Sequence, residues 1–142
     1  MTDHKIYRTP SAYGYPLLIK QLLNTLELRH PDQEIVYADR LRYSYRDFKK
    51  RVARLANLLM SLGVKEGDTV AVLDWDSHRY LECFFAIPMV GAVLHTVNIR
   101  LSPDQILYTM NHAGDDLVLI NQEFLPLMAP ILGRIETVKD WV

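Results

Sequence analysis

This chain predicts an α/β fold with a parallel sheet, and three observations carry that prediction. Residues 69–73 (TVAVL) and 117–120 (LVLI) are unbroken apolar runs, the pattern of strands covered on both faces. Residues 92–97 form a third β-prone run between them. Each gap holds a helix-length stretch, so strand and helix alternate from 69 to 120. That order is a pair of βαβ units, Rossmann-like and three-layered, with right-handed crossovers. The length of 142 residues suits one domain, and a hydrophobic fraction of 49% supplies a core.

The elements follow in chain order. Residues 1–14 read as a loose polar lead and 15–142 as the folded part. Helix 17–28 carries Leu18, Leu22 and Leu26 in a stripe, and His30, Pro31 and Asp32 stop it. Residues 34–38 and 41–45 are short β-prone runs around Asp39 and Arg40, a hairpin. Ser44 and Asp47 have the spacing of a capping box. The helix they open places Phe48, Val52, Leu55, Leu59 and Leu62 on one face. Arg46, Lys49, Lys50 and Arg54 lie mostly on the other, a solvated face rather than a phosphate site. Gly63 ends this helix.

A turn at 64–68 leads into strand 69–73. Helix 77–88 and strand 92–97 come next. Ser102 and Pro103 give a cap followed by proline at the first helical position. That helix runs to His112 or Ala113 and stops at Gly114. After strand 117–120, a proline-punctuated apolar stretch at 124–132 and a short strand near Thr137 complete the pattern.

Charge and composition exclude several function classes. Sixteen basic and 17 acidic residues leave a formal net charge of −1, without the basic excess of a nucleic-acid binder. One cysteine cannot form an internal disulfide, which fits a reducing compartment. The first residues lack the basic and apolar regions of a signal peptide, and no apolar run spans a bilayer. The expectation is a soluble, cytoplasmic chain.

Candidate chemistry is sparse. The Walker spacing, a GxGxxG turn and a GxSxG elbow are all absent. His4, His30, His78, His95 and His112 are scattered with no HExxH pair, so no metal ligand is assigned. His95, on a buried strand, reads as a satisfied core histidine. Cys83 lies in an apolar helix with only Arg79 nearby as a cation, and reads as a buried structural thiol. At the turn 98–101, Asn98 reads as a turn residue and Arg100 as one that ties the turn down.

Asp74-x-Asp76, after an apolar strand, is similar to the first motif of haloacid-dehalogenase-type phosphatases, where the first carboxylate attacks phosphorus beside a metal. The later pieces do not follow. Asp115 and Asp116 precede their strand, and no lysine lies between Lys65 and Lys139. The competing reading makes Asp74 and Asp76 turn residues, with Asp76 or Ser77 capping the next helix.

A longer match covers residues 62–120, LGVKEGDTVAVLDWDSHRYLECFFAIPMVGAVLHTVNIRLSPDQILYTMNHAGDDLVLI. With the upstream LRYSYRDF at 41–48, it resembles the amino-terminal part of adenylate-forming (AMP-binding) acyl-CoA synthetases. Residues 91–98 with Arg100 and Leu101 look most like the medium- and long-chain fatty-acid branch. Ile99 departs from the pattern, where the family often has proline.

The resemblance implies a fatty-acid–CoA ligase. A carboxylate attacks the α-phosphate of ATP to give an acyl-adenylate and pyrophosphate, and the thiol of coenzyme A then displaces AMP. Magnesium would accompany ATP, and a homodimer is a further implication. The family's Thr/Ser/Gly-rich loop with lysine, its adenine and ribose motifs and its mobile carboxyl-terminal domain have no counterpart here. The expectation is therefore an amino-terminal fragment, inactive alone, with no catalytic, cofactor-binding or metal residue to carry over. An apolar face left over for the missing part would favour self-association. The alternatives are a stand-alone binding or interaction module of the same fold, and the small phosphatase using Asp74 and Asp76.

Overall fold

Side-chain alternation along the two central strands decides the layering. The computed structural model describes residues 9–11, 13, 14 and 18–142. Most of the expected lead at 1–14, His4 included, and the expected helix start at residue 17 lie outside the described residues.

β3 (Thr69–Leu73) sends Val70 and Val72 into one apolar cluster and Ala71 and Leu73 into another. β5 (Leu117–Ile120) divides the same way, with Leu117 and Leu119 on the first side and Val118 and Ile120 on the second. A strand's period of two makes this split automatic when both faces are covered. α2 (Tyr45–Ser61) and α3 (His78–Met89) cover the first face, and α4 (Pro103–Ala113) covers the second. The architecture is therefore three-layered α/β, as the strand–helix order predicts.

The main sheet has the order β4-β3-β5-β6, parallel throughout, with β4 at Val93–Thr96 and β6 at Asp140–Trp141. The strand expected near Thr137 begins three positions later. β1 (Glu34–Tyr37) and β2 (Leu41–Ser44) form a separate antiparallel hairpin. Tyr37 accepts from the Arg40 amide at 3.0 Å across its turn. Ala38 and Asp39 there adopt positive φ values of 49° and 50°.

The caps follow the sequence with one change of detail. Ser44 accepts from the Asp47 amide at 3.2 Å, but the Asp47 carboxylate receives the Ser44 hydroxyl instead of reaching back to the backbone. The complete reciprocal box is at Ser102 and Gln105. Ser77, not Asp76, caps α3. Gly63 and Gly114 take the left-handed conformation at their helix ends.

α1 (Lys20–Arg29) corrects the expected stripe. Leu18 and Leu22 are exposed, whereas Leu23 is buried and Leu26 packs against the core. The helix lies on α2 along the Leu23–Leu26 row, the i,i+3 spacing of one helix face, and Glu27 on that side pairs with Lys49. Three basic residues of α2 form surface pairs: Arg46 with Asp32 at 3.4 Å, Lys50 with Asp47 at 3.1 Å, and Lys49 with Glu27. This agrees with a solvated face.

Candidate functional site

The strand order reverses between β3 and β5. From β3 the chain steps outward to β4, then returns past β3 to β5. In parallel α/β sheets the carboxyl edge at such a reversal is where ligands bind. Asp74 follows β3 there and Asn121 follows β5. The Asn121 amide side chain donates to Asp74 at 2.8 Å, and its backbone N–H donates to the Leu73 carbonyl at 2.8 Å. Asp74 also accepts from the Trp75 amide at 2.8 Å and from the Ser77 hydroxyl.

Two cavities flank this knot. The larger, about 340 Å³, opens toward α2 and α3. Its apolar wall includes Leu55, Leu58, Val72, Leu119 and Ile120, and its polar groups include Arg51, Asp74, Arg79, Glu82 and Asn121. The second, about 300 Å³, lies between Asp74, Asp76, Tyr80, Thr96 and the turn 98–101. Apolar walls with few polar groups at a sheet edge are the usual form of a small-molecule pocket.

Glu82 dominates the polar side of the larger cavity. It is 5% exposed, and it accepts from Arg51 Nε at 2.6 Å, from Arg51 Nη2 at 3.4 Å and from the Tyr43 hydroxyl at 3.4 Å. Arg51 lies 5.6 Å over the Tyr43 ring. Burial, then the Glu82 charge, pushes the Tyr43 hydroxyl up to about 12. Burial also pushes the Cys83 thiol up to about 12, with Glu82 adding to it, so this sulfur stays protonated and unreactive as expected.

The sequence-level candidates are placed as follows. Asp74 is half-buried with both oxygens engaged, and Asp76 is exposed. Ser77 Oγ caps α3 by accepting from the amides of Arg79 and Tyr80. Asp115 and Asp116 precede β5 and do not join Asp74. His95 is satisfied, with Nδ1 2.9 Å from both oxygens of the fully buried Asp115. Burial raises the Asp115 carboxyl and the His95 hydrogen bond offsets part of that. His112 stacks on Tyr108 at 5.6 Å. Among the described residues no group of three or more His, Cys, Asp or Glu could hold a metal.

The turn after β4 carries one correction. Asn98 closes it as expected, accepting from the Arg100 amide at 3.0 Å and from the Leu101 amide through its carbonyl at 3.2 Å. Arg100 does not tie the turn down. Its side chain is exposed and has no side-chain hydrogen bond or ion pair among the described residues. The anchors are Ile99 and Leu101, which pack on the α4-side core. Ile99 thus fills with apolar contact the position where a proline was expected.

Sequence reasoning passed over Arg51, Glu82 and Asn121. A lone acid between Leu81 and Cys83 in an apolar helix was the available signal for Glu82, because a buried carboxylate requires a partner.

The model of the AMP-binding enzyme family matches residues 26–140, which spans β1 to β5 and the first residue of β6. The chain belongs to that family. A long-chain-fatty-acid–CoA ligase of Thermus thermophilus is 46% identical over 101 residues, covering 71% of this chain and 19% of that protein. A 3-methylmercaptopropionyl-CoA ligase of Ruegeria lacuscaerulensis is 34% identical over 131 residues, covering 89% of this chain and 24% of its own length. The chain therefore spans about a fifth to a quarter of the length of these curated relatives. Among solved structures, a Mycobacterium tuberculosis fatty acyl CoA synthetase superposes with a TM-score of 0.80 at 24% identity, over 86% of this chain and 25% of that one. The fold is that of the matching part of that enzyme. As a member of the AMP-binding enzymes, the chain has relatives named as CoA ligases, and the phosphatase alternative gains no support.

Proposed function

We propose that this chain forms the amino-terminal part of an ATP-dependent fatty-acid–CoA ligase. The 46% identity to the Thermus thermophilus long-chain enzyme carries this reading. In the proposed reaction a fatty-acid carboxylate oxygen bonds to the α-phosphorus of ATP, and pyrophosphate leaves. The coenzyme A thiol then attacks the acyl carbon, giving acyl-CoA and AMP.

Within that enzyme, residues 15–142 act as scaffold. The described side chains do not fit an ATP–magnesium site: Asp74 is spent on Asn121, Ser77 and the Trp75 amide, and the sequence has no glycine-rich loop with lysine. No step is assigned to them, and ATP, magnesium and CoA belong to other parts of the whole enzyme. The reading includes a cytoplasmic location and a homodimer. Among the described residues no helix is long and apolar enough to cross a membrane. The stand-alone binding module of the same fold is the rival reading.

The test is to read the gene beyond the Val142 codon and assay both forms for ATP–pyrophosphate exchange across a series of acids. A Thr/Ser/Gly-rich loop with lysine, exchange by the long form and none by residues 1–142 are expected. A stop codon after Val142 overturns the ligase reading in favour of the module. Preference for a short sulfur-containing acid would move the substrate toward the Ruegeria relative.

A further inference from the structure

We propose that the β1–β2 hairpin is a pH-released cover, held against α3 by the neutral ring of His78. The hairpin shares no backbone pairing with the main sheet. Beneath it lies a third pocket of about 310 Å³. Ile35, Val36 and Tyr37 form its hairpin side, and His78, Leu81 and Phe84 form its α3 side. Ile35 and Tyr43 still pack on the core, and the Tyr43 hydroxyl reaches Glu82 of α3, so the gap undercuts only part of the hairpin.

His78 lines that gap and touches the hairpin with its ring. Its ring centroid lies 5.2 Å from the Tyr37 ring and 6.3 Å from the Tyr43 ring. Its Nδ1 is buried and has no hydrogen-bond partner among the described residues. A neutral imidazole can leave that nitrogen as a bare lone pair, at modest cost. A protonated ring carries N–H on both nitrogens, so closure would bury an N–H with no acceptor and a charge with it. The open hairpin, with His78 in water, has neither cost.

The charges around the ring do not reverse this. Tyr37 and Tyr43 face it from the hairpin, Arg51 from α2, and Arg79 and Glu82 from α3. Asp74 and Asp76 face it from the turn between β3 and α3. Glu82 and Asp74 favour the cation, but Glu82 is already engaged by Arg51 and the Tyr43 hydroxyl. Asp74 is likewise engaged by Asn121. Arg51 and Arg79 oppose the cation. Burial is the largest influence and holds His78 below its ordinary 6.5.

The sign follows from linkage. The closed form binds the proton more weakly than the open form, so the contribution of His78 to closure is fully present above pH 6.5 and is lost as pH falls through the depressed value. The closed-to-open ratio falls by about tenfold for each unit by which the ring is held down. Opening further uncovers Leu81 and Phe84, already 37% and 41% exposed.

Amide exchange of the full chain, corrected for intrinsic rates, tests this at about pH 7.5 and about pH 5. Protection of the hairpin amides should fall several-fold at acid pH while β3 amides keep theirs. His78→Phe keeps a ring against Tyr37 but cannot titrate, so the acid loss should vanish. His78→Gln, smaller and also neutral, should behave the same way and serves if the phenylalanine variant does not fold. Magnetic-resonance titration of the wild-type ring should give a midpoint below 6.5. Hairpin protection indifferent to pH, an equal acid loss in the neutral variants, or a midpoint at or above 6.5 each overturns the proposal.

Discussion

Arg51 and Glu82 show how much one pair can carry. Glu82 is nearly fully buried, while the Arg51 side chain keeps 37% of its exposure. Removing one partner of a buried pair strands the other charge. Arg51→Met leaves Glu82 with only the Tyr43 hydroxyl, and should cost about 2–3 kcal/mol, below the roughly 3–5 kcal/mol of a fully buried pair because Arg51 is still partly solvated. Urea unfolding measures this, and adding Glu82→Leu should recover much of the loss. Asp116 supplies an acid-side prediction. The Lys139 ammonium, then the Thr69 amide, hold its carboxyl below 3.8. A depressed folded-state value means stability that is present above pH 3.8 and lost as pH falls through the folded value. Asp116→Asn should flatten the fall in urea midpoint below pH 3.8; an unchanged slope would refute the assignment. Asp115 runs the other way, being raised by burial. None of these pairings was legible in the sequence, because residues 31 or 47 positions apart meet only after folding.

Elements were more legible than pairs. Ser102, Pro103 and Gly114 mark both ends of α4, and the structure uses each as local chemistry requires. Ser102→Ala should cost about 1 kcal/mol in chemical unfolding. The hairpin turn is a strained counterexample. Ala38, with φ at 49°, occupies a region that costs a residue with a Cβ about 1–2 kcal/mol. Ala38→Gly should therefore raise stability by about 0.5–1 kcal/mol after glycine's entropic loss, and a decrease would show that the turn is held by something else. The short pieces escaped detection for a physical reason. The 3-10 turn at Gln122–Phe124 and α5 at Leu125–Met128 are only three and four residues long. Too few positions exist there for periodicity to register.

At the scale of the whole molecule, two apolar clusters sit on opposite faces of one sheet. The surface still shows many large apolar side chains, among them Leu58 and Leu62 at 43% and 37% exposure and Tyr108 at 68%. Exposed apolar area of this kind favours association. Sedimentation should show concentration-dependent self-association of this chain, reduced by Leu58→Gln at the rim of the larger cavity; a strict monomer at high concentration would contradict that. The amino-acid order alone determined the α/β class and the boundaries of α2, α3 and α4, because periodicity, caps and turn residues act between near neighbours; the family was legible only through the resemblance of residues 62–120. It could not determine which leucines of α1 face inward, that Arg100 stands free of its turn, or that Glu82, Arg51 and Tyr43 converge beside the strand-order reversal. Those depend on which helix packs on which sheet face, and distance along the chain does not encode that packing.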